Sequence, residues 1–351
     1  MSKEFFIQGR KIGLNSPCFI IAELSANHNG SLENAIATIK AAKRAGADAI
    51  KFQTFTADTI TIKSDSEDFK INQGTLWDGQ YLYDLYKEGY TPWEWHETLF
   101  RVAQEEGLIC FSSPFDPTAV DLLEGLNAPA YKIASFEITD IPLIEYVASK
   151  GKPVIISTGI ATEEDIELAL EACRRTGNED IALLKCTSSY PAPIQEANVV
   201  MVKDLSVRYN VVSGLSDHTI GHTVPITSIC FGAKIIEKHF ILDRAIGGPD
   251  ASFSMNELEL TEMVKVVREA EEAIGDVNYS LTDKQQIGRT FSRSLYVAED
   301  AKAGDTITKD NVRSVRPGFG LHPKYLPEVL GGKFAKDVKK GDRFHLDLLT
   351  R

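Results

Sequence analysis

The chain alternates short apolar, β-branched runs with longer segments of helical periodicity. The runs predict eight strands, at 18–23, 48–52, 108–112, 131–134, 153–157, 181–186, 211–215 and 233–238. A helical pattern follows each run, including helices over about 31–45, 93–106 and 256–274. Strict alternation predicts a parallel sheet, and eight repeats close most simply into a (β/α)8 TIM barrel. An open doubly wound sheet is the alternative, but no G-x-G-x-x-G motif follows the first strand.

The pattern changes after residue 275. A polar stretch runs to about residue 288, and β-like segments at 294–297, 305–308 and 344–349 are then separated by Gly, Pro and Asp turns. We therefore expect a barrel domain over 1–280, a linker over 281–290 and a small β-rich domain over 291–351. That last part carries 12 Lys and Arg against 8 Asp and Glu, whereas the whole 351-residue chain has a net charge of −12. Either it presents cations to an anionic ligand, or the difference is ordinary surface variation.

Composition and charge exclude several classes of protein. Hydrophobic residues make up 43% and charged residues 25% of the chain, as is ordinary for globular proteins, so wholesale disorder is excluded. The longest apolar runs, such as 153–156, are far shorter than the ~20 residues that span a bilayer, and we expect no secretion signal. The negative charge predicts no nucleic acid and no membrane as partner. The five scattered cysteines lack a C-x-x-C pair and predict a cytoplasmic protein.

Polar side chains end nearly every predicted strand. Active sites of (β/α)8 barrels lie at the C-terminal ends of the strands, where the βα loops converge. The residues at or just after these ends are Glu23, Lys51, Gln53, Ser112, Ser113, Lys132, Ser135, Ser157, Thr158, Ser188, Tyr190, Ser216, His218, Glu237 and His239. One such residue would be explained as a helix cap or a solvated side chain. Eight coincident strand ends predict an active site.

These residue types indicate a particular chemistry. Lys51 and Lys132, among hydroxyls and helix N-termini, suit a small phosphorylated or polycarboxylated anion. His218 and His239 are 21 residues apart but lie on adjacent strands. With Glu23 or Glu237 nearby, the two imidazoles suit a divalent metal with positions open for water and substrate. The alternative is a pair of histidines hydrogen-bonded to the backbone.

Two further features lie outside these strand ends. The aromatic residues between 81 and 95 are expected to pack in a core or a subunit contact, although those near Tyr81 and Tyr83 could cover a substrate. In the segment 316–321, RPGFGL, proline and glycines fix a turn and leave Arg316 as a rigidly presented cation. Together with the basic C-terminal part, this makes Arg316 a candidate substrate clamp.

At this point the motifs match a known family. They are IAELSANHNG (21–30), AIKFQTF (49–55), SSPFD (112–116), YKIAS (131–135), ISTG (156–159), LSDH (215–218), IEKHF (236–240), GPD (248–250) and RPG (316–318). The chain resembles, over almost its whole length, the sialic acid synthases, which condense phosphoenolpyruvate with an N-acylated amino sugar. The motifs GTLWDG (74–79), YLYDLY (81–86), YTPWEWH (90–96) and CTSSYP (186–191) are most similar to those of its pseudaminic acid branch. The family implies a barrel joined to an antifreeze-like (SAF) domain.

The resemblance also implies roles for individual residues. Glu23, Glu237 and Lys51 would be catalytic, with Glu23 holding the sugar or the attacking water. Phosphoenolpyruvate would be held by Lys51, Gln53, Lys132, Ser135, Ser157, Ser188 and Ser216, and the sugar by Glu23, Tyr190, Asp250 and Arg316. His218 and His239 would bind Mn²⁺, Mg²⁺ or Co²⁺. The implied assembly is a domain-swapped homodimer, in which Arg316 of one subunit enters the partner's barrel.

The implied reaction joins phosphoenolpyruvate, 2,4-diacetamido-2,4,6-trideoxy-altrose and water to give pseudaminic acid and phosphate, with C–O cleavage. Within the family, N-acetylneuraminate or legionaminate synthesis is the alternative, although Ser188 stands where many enzymes using N-acetylmannosamine have Asn. A Schiff-base aldolase with Lys132 or Lys51 as nucleophile is an alternative from another class. A binding protein that works through its C-terminal domain is a third, and it predicts that replacing His218 and His239 leaves function intact.

Overall fold

The computed structural model describes residues 4–72 and 74–350. The chain separates into two compact units, Met1–Gly275 and Asp276–Arg351. Across the described ranges, no helix combines the length and apolarity needed to cross a membrane.

The first unit is a closed barrel of eight parallel strands, which confirms the predicted (β/α)8 fold. An N-terminal hairpin of β1 (Glu4–Ile7) and β2 (Arg10–Gly13) precedes it. The barrel strands are β3 (Phe19–Glu23), β4 (Ala49–Thr54), β5 (Ile109–Pro114), β6 (Tyr131–Ile133), β7 (Val154–Ser157), β8 (Ile181–Cys186), β9 (Val212–Asp217) and β10 (Ile235–His239). Pairing of β10 with β3 closes the barrel and sets His239 directly opposite Glu23.

Helices follow the barrel strands at the places where the sequence has helical periodicity. They are α1 (Leu32–Arg44), α2 (Ala57–Ile60), α3 (Leu82–Gly89), α4 (His96–Glu105), α5 (Pro117–Gly125), α6 (Ile141–Ala148), α7 (Glu163–Arg175), α8 (Met201–Tyr209), α9 (Thr223–Cys230) and α10 (Glu257–Ile274). Several begin at a capping side chain, as where Asn256 accepts a hydrogen bond from the backbone N–H of Glu259. The short helices α2 and α3 lie in the polar insertion after β4, together with a 3₁₀ turn at Glu67–Phe69.

Alternation along the strands divides the barrel into an apolar lower part and a polar upper part. Odd-numbered residues of β3 face the interior, so Phe19 and Ile21 pack inside the barrel while Ile20 and Ala22 pack against the helices. Glu23 comes next on the interior face, at the C-terminal end of the strand. Because the other strands are in register with β3, their last interior residues form a polar layer above the apolar one.

The hairpin of β1 and β2 was not predicted from the sequence. Its side chains Phe5, Ile7 and Ile12 are buried among interior residues that begin the barrel strands, such as Phe19 and Ile235. The hairpin therefore closes the N-terminal end of the barrel. Each of its three side chains contributes about 1.5–3 kcal/mol by burial.

The second unit contains short antiparallel pairs around its own core. Its strands are β11 (Ser294–Val297), β12 (Val312–Val315), β13 (Lys333–Phe334) and β14 (Leu349–Thr350), and its helices are α11 (Asp283–Gly288) and α12 (Leu326–Val329). Helix α11 lies inside the segment that the sequence predicts as a linker. Leu295, Val312, Phe334 and Phe344 form the centre of the core.

Two predicted β-like segments of this unit were wrong in detail. Residues 305–308 make a single bridge, from Thr306 to Lys333, instead of a strand. Residues 344–349 contain a 3₁₀ turn, Leu346–Leu348, because Phe344 and Leu348 are buried whereas Leu346 is 53% exposed. Burial four residues apart is the pattern of a helical turn, whereas a strand would bury all three alternate residues.

Candidate active site

Four charged side chains form a buried cluster in the polar layer of the barrel. Lys51 Nζ lies 2.6 Å from Glu23 Oε2 and 3.6 Å from Glu237 Oε1, and Lys132 Nζ lies 3.8 Å from the same Glu237 oxygen. All four side chains are at most 6% exposed. The two lysines, predicted from strands two and four, therefore meet in one cluster with the carboxylates of strands one and eight.

The cluster separates the two carboxyl groups by their acidity. Burial raises the pKa of Glu23 to about 7, with Glu237 adding to the effect and Lys51 opposing it. Burial also favours the neutral form of Glu237, but Lys132 and Lys51 outweigh it and lower the pKa of that carboxyl. Near neutral pH the pair thus contains one carboxylate and one group that can take up or release a proton.

The lysines also differ. Burial alone would lower the pKa of Lys51, but Glu23 and Glu237 raise it above its ordinary value. Lys132 has fewer compensating charges, so burial lowers the pKa of its ammonium group. Lys51 further donates a hydrogen bond to Ser113 Oγ at 3.1 Å, which fixes its direction.

Small residues form a cradle beside Lys132, at the ends of strands β6, β7 and β8. The backbone N–H of Gly159 donates to Ser135 Oγ at 3.2 Å. A β-carbon on Gly159 would lie 2.0 Å from Ser188 Oγ and 2.6 Å from Ser135 Oγ. The predicted residues Ser135 and Ser188 therefore both lie against Gly159, and a side chain at this position would have to displace their hydroxyls.

Three other predicted residues line the same interior. Ser216 Oγ donates to Glu237 Oε1 at 3.1 Å. Ser157 is buried, and its hydroxyl has no hydrogen-bond partner among the described residues. Gln53 follows Lys51 on the same face of β4 and pairs in register with Ser113.

The two predicted histidines lie together at the barrel mouth. The ring centroids of His218 and His239 are 5.2 Å apart. His218 Nδ1 donates to the carbonyl oxygen of Thr187 at 3.0 Å, which leaves its Nε2 lone pair for another partner. Burial, together with His218 and the nearby lysines, holds the pKa of His239 well below its usual value, so this ring is neutral.

This donor set fits a divalent metal that two imidazoles hold in part. His239 Nδ1 is buried and makes no hydrogen bond within the described chain, and Asp250 Oδ2 lies 3.7 Å away. In residues 4–72 and 74–350, no three His, Cys, Asp or Glu side chains are grouped closely enough to hold a metal by themselves. Water and substrate oxygens would have to supply the remaining ligands, as the sequence predicts.

Tyr190 and Asp250 border the histidines. The Tyr190 ring lies 4.4 Å from that of His218, 5.3 Å from Phe253 and 5.6 Å from Trp77. Asp250 is buried, and its Oδ2 accepts a hydrogen bond of 3.5 Å from the backbone N–H of Ala26. The candidate sugar residues of the barrel thus lie beside the candidate metal ligands.

Arg316 belongs to the C-terminal unit, where its side chain is exposed. The turn that carries it is held by Ser294, whose hydroxyl donates to the carbonyl of Pro317 and accepts from the N–H of Gly320. A β-carbon on Gly320 would lie 2.2 Å from the carbonyl oxygen of Leu295. The glycine is therefore required for the close approach, and the turn presents the arginine as the sequence predicts.

Sequence reasoning missed three residues of this site. Glu137 lies in a 3₁₀ turn after β6, and burial raises its pKa to about 7, against the opposing charge of Lys132. Gly159 was quoted within a motif but not as a site residue. The third is Cys186, whose Sγ lies 3.9 Å from His218 Nδ1. A signal existed for Glu137, because it follows Ser135 by two residues in the loop after strand four.

Comparison with known proteins identifies relatives of both units. The profile of the NeuB family matches residues 38–279, and that of the SAF domain matches residues 292–349. A pseudaminic acid synthase of Campylobacter jejuni subsp. jejuni is 50% identical over 92% of this chain and 94% of its own length. A pseudaminic acid synthase of Helicobacter pylori is 45% identical over 95% of this chain and 98% of its own.

A solved structure gives the same picture. It is the crystal structure of the N-acetylneuraminic acid (sialic acid) synthetase of Leptospira borgpetersenii serovar Hardjo-bovis, in complex with citrate. It superposes with a TM-score of 0.73 at 32% identity, covering 82% of this chain and 95% of that one. The chain therefore belongs to the NeuB family, with a C-terminal SAF domain. It is an enzyme of the nonulosonic acid synthase class, which confirms the resemblance seen in its motifs.

Proposed function

We propose that the enzyme condenses phosphoenolpyruvate with 2,4-diacetamido-2,4,6-trideoxy-altrose and water to give pseudaminic acid and phosphate. The observation that carries this proposal is the buried meeting of Lys51 and Lys132 with Glu23 and Glu237, next to His218. The choice of sugar is supported by relatives that are 45–50% identical to this chain and are named pseudaminic acid synthases.

The part of the site around Lys51 and Lys132 suits the anionic substrate. Phosphoenolpyruvate carries a phosphate and a carboxylate, and Lys51 and Lys132 supply two buried cations in a preorganised position. The Ser135–Ser188–Gly159 cradle adds hydroxyls and a backbone N–H, which are the donors that phosphate oxygens accept from. Ser157, whose buried hydroxyl is unpartnered in the described structure, and Ser216 would complete this set. Gln53 would join it from β4, where it follows Lys51 on the same face.

The histidines and carboxyls suit the carbonyl chemistry. His218 and His239 would hold a divalent cation, Mn²⁺, Mg²⁺ or Co²⁺, which supplies Lewis-acid polarisation of the sugar aldehyde when bound. C3 of phosphoenolpyruvate attacks the aldehyde carbon, water adds at C2, and phosphate leaves by C–O cleavage. Glu23, whose pKa lies near 7, can accept a proton from that water, while Glu237 stays anionic and balances the two lysines.

The sugar would lie between the barrel mouth and a second subunit. Tyr190 and Asp250 border the mouth, and Arg316 is proposed to reach the sugar from the SAF domain of the partner in a domain-swapped homodimer. Exposed apolar side chains support a subunit contact, since Val277 and Tyr279 are 93% and 96% exposed and Phe291 and Phe319 are 66% and 46% exposed.

Assay of phosphate release with phosphoenolpyruvate and each candidate sugar tests the proposed reaction. We expect the diacetamido-altrose to give a kcat/KM at least about tenfold above that of N-acetylmannosamine, with pseudaminic acid identified by mass spectrometry and NMR. Phosphoenolpyruvate labelled with ¹⁸O at the bridging oxygen should pass the label to phosphate. Equal rates with the two sugars would overturn the assignment of substrate.

Two treatments separate the proposed chemistry from a Schiff-base aldolase. A chelator should remove activity, and Mn²⁺ should restore it, because the histidine pair is proposed to need its cation. Borohydride added with pyruvate should leave Lys51 and Lys132 unmodified by mass spectrometry. A reduced adduct on either lysine, with activity unaffected by the chelator, would favour the aldolase instead.

A further inference from the structure

The loop after β10, residues 240–255, carries Asp250 and is closed at its base. The backbone N–H of Met255 donates to the carbonyl oxygen of His239 at 2.9 Å, and the N–H of Ile241 donates to the carbonyl of Met255 at 2.9 Å. The loop therefore leaves the end of the strand and returns to it. Phe253, near its end, packs on the His239 ring with 5.0 Å between the centroids. The position of this loop therefore decides which side chains face the histidine.

A buried amide, that of Asn27, joins this loop to the loop after β3. Asn27 is 0% exposed and lies in the 3₁₀ turn Ser25–His28. Its Nδ2 donates to the carbonyl oxygen of Phe240 at 3.0 Å and to Ser254 Oγ at 2.9 Å. The Ser254 hydroxyl in turn donates to the carbonyl oxygen of Asp250 at 2.7 Å. The amide thus holds both ends of the loop, and two hydrogen bonds in series connect it to Asp250.

The direction of the Asn27 amide follows from its neighbours. The carbonyl of Phe240 can only accept a hydrogen bond, so the NH₂ group must face it. Asn27 Oδ1 is buried and has no hydrogen-bond partner within residues 4–72 and 74–350. An unpaired buried oxygen costs free energy, so the two donated bonds are what an amide contributes at this position.

The loop after β3 has an unusual backbone and further bonds to the loop after β10. Ser25 and Asn29 have φ angles of +47° and +46°, in the left-handed region that L-residues disfavour. Asn29 Nδ2 donates to the carbonyl of Ile246 at 2.9 Å, and the N–H of Ala26 donates to Asp250 Oδ2 at 3.5 Å. Residues in this region persist where the surrounding structure fixes them, and they cluster at functional sites.

We propose that Asn27 is a positioning residue for sugar binding: through Phe240 and Ser254 it fixes the loop after β10 so that the Asp250 carboxylate is held beside His239. Asp250 Oδ2 lies 3.7 Å from His239 Nδ1, and the two side chains are 12% and 11% exposed, so a ligand can reach them. This inference rests on the proposed function and adds to it the residue that holds a sugar-binding carboxylate in place.

The charge of Asp250 indicates which substrate should respond. A carboxylate accepts hydrogen bonds from the hydroxyl and acylamino N–H groups of a neutral sugar. It repels phosphoenolpyruvate, whose phosphate and carboxylate are both anionic. Displacement of Asp250 should therefore weaken binding of the sugar and leave binding of phosphoenolpyruvate nearly unchanged.

Asn178 provides a matched control. Its amide is also buried, at 6% exposure, and its Nδ2 donates to the carbonyls of Ala148 at 3.1 Å and Lys152 at 2.8 Å. It therefore makes the same pair of bonds, but between loops at the N-terminal end of the barrel, away from the candidate site.

Three substitutions test the proposal by steady-state kinetics. Asn27→Ala removes both donated bonds, and Ser254→Ala removes the link to Asp250. We expect KM for the diacetamido-altrose to rise about 10- to 100-fold in the first variant and about 3- to 10-fold in the second. KM for phosphoenolpyruvate should change less than about 3-fold in both. Asn178→Ala should lower the melting temperature as Asn27→Ala does, and should leave both KM values unchanged.

A double-variant cycle tests whether Asn27 acts through Asp250. Asp250→Ala alone should raise KM for the sugar. Adding Asn27→Ala should then raise it less than about 3-fold further, because the carboxylate to be positioned is gone. If the two effects multiply, Asn27 acts by another route and the proposal is overturned.

Calorimetry separates this inference from the proposed reaction. The alditol of the diacetamido sugar has no aldehyde and cannot react, so its Kd for the enzyme, with phosphoenolpyruvate and Mn²⁺ present, measures binding alone. We expect this Kd to rise about 10- to 100-fold in Asn27→Ala and to stay unchanged in Asn178→Ala.

The outcomes distinguish two kinds of failure. If the wild-type enzyme releases no phosphate with any acylamino sugar and binds no alditol, the proposed function fails and this inference fails with it. If the wild-type enzyme is active but Asn27→Ala loses only thermal stability, as Asn178→Ala does, the positioning role alone is overturned. Equal rises in KM for both substrates would also overturn it. If Asn27→Ala does not fold, the same comparison with Ser254→Ala decides.

Discussion

Single carboxyl groups in the barrel carry much of the proposed chemistry, and Glu23 is the one placed to exchange a proton. Glu23→Gln keeps the side-chain volume and removes the base, so we expect kcat to fall by about 10²–10⁴. Because the pKa of Glu23 is about 7, wild-type kcat/KM should rise with pH up to about that value, and the residual activity of the variant should lack this rise. Glu33→Gln, on the exposed surface of α1, is the control, and an unchanged pH profile in Glu23→Gln would contradict the assignment.

Glu137 makes a second prediction, on stability as a function of pH. Burial raises its folded-state pKa to about 7, above the ordinary 4.5, so the folded state binds an extra proton between these values. Wild-type stability from this group is therefore present below pH 4.5 and lost as pH rises through about 7. Glu137→Gln does not titrate, so its stability relative to the wild type should increase by about 1–3 kcal/mol between pH 5 and pH 8. Urea unfolding at the two pH values measures this difference, and a constant difference would contradict the prediction.

Gly159 makes a third prediction, on the cradle for the anionic substrate. Gly159→Ala places a methyl group 2.0 Å from Ser188 Oγ and 2.6 Å from Ser135 Oγ, so both hydroxyls must turn away. We expect KM for phosphoenolpyruvate to rise about 10- to 100-fold, because the displaced hydroxyls no longer donate to the anion. Each tenfold change corresponds to about 1.4 kcal/mol. Gly125→Ala is the matched control, because a β-carbon there meets no atom within 4 Å, and initial-rate kinetics on both variants give the comparison.

At the scale of secondary-structure elements, strands β9 and β10 are joined by a buried ion pair on the face opposite the active site. Lys238 Nζ lies 2.6 Å from Asp217 Oδ2 and also donates to the carbonyl of Thr219. Lys238 lies between Glu237 and His239, and Asp217 lies between Ser216 and His218. The pair therefore holds the two strands in the register that brings both imidazoles together.

Removal of one partner of this pair should be costly. Lys238→Met leaves the Asp217 carboxylate buried without its cation, and we expect a loss of about 3–5 kcal/mol in the free energy of unfolding. The double variant Asp217→Asn with Lys238→Met should recover part of that loss, because no buried charge remains. Lys302→Met, in the exposed Lys302–Asp337 pair, is the control and should change stability by less than about 1 kcal/mol. Equal effects of the two single substitutions would contradict the structural role of the pair.

The barrel strands could be predicted because each repeats a simple pattern. Ile181–Cys186 has the predicted bounds, and the other seven barrel strands differ from the prediction by at most two residues at each end. The polar layer could also be predicted, since Glu23 ends an apolar run and Lys51 and Lys132 each interrupt one. The N-terminal hairpin could not, because its value depends on the barrel end that Phe5 and Ile7 fill, which is a contact between distant parts of the chain.

The segment 74–79, which carries Trp77, shows the same limit to prediction from sequence. Its motif was seen in the sequence, but the packing of Trp77 on Tyr190 joins residues 113 positions apart in the chain. Nothing local indicates that the indole N–H lacks a partner in the described structure. Periodicity therefore predicts where side chains face, whereas their partners depend on the closed barrel.

At the scale of the whole molecule, a mixed-subunit experiment tests the proposed exchange of Arg316. Arg316→Ala lacks the exposed cation, and Lys51→Ala lacks a barrel cation, so each homodimer should be inactive. When the two chains are unfolded together and refolded, about half of the dimers should pair the chains, and each such dimer has one barrel with intact Lys51 facing the partner's intact Arg316. We expect activity to return to about a quarter of the wild-type level. A mixture that stays inactive, although native mass spectrometry shows the mixed dimer, would contradict the exchange.

The N-terminal hairpin has a consequence for the order of events in turnover. Phe5, Ile7 and Ile12 close the N-terminal end of the barrel, so substrates enter at its C-terminal end. Under the proposed function, phosphoenolpyruvate binds to the buried lysines in the interior and the sugar binds above it, at the barrel mouth. A sugar that binds first would obstruct the path to the lysines. Phosphoenolpyruvate therefore binds before the sugar, and excess sugar inhibits by forming a dead-end complex.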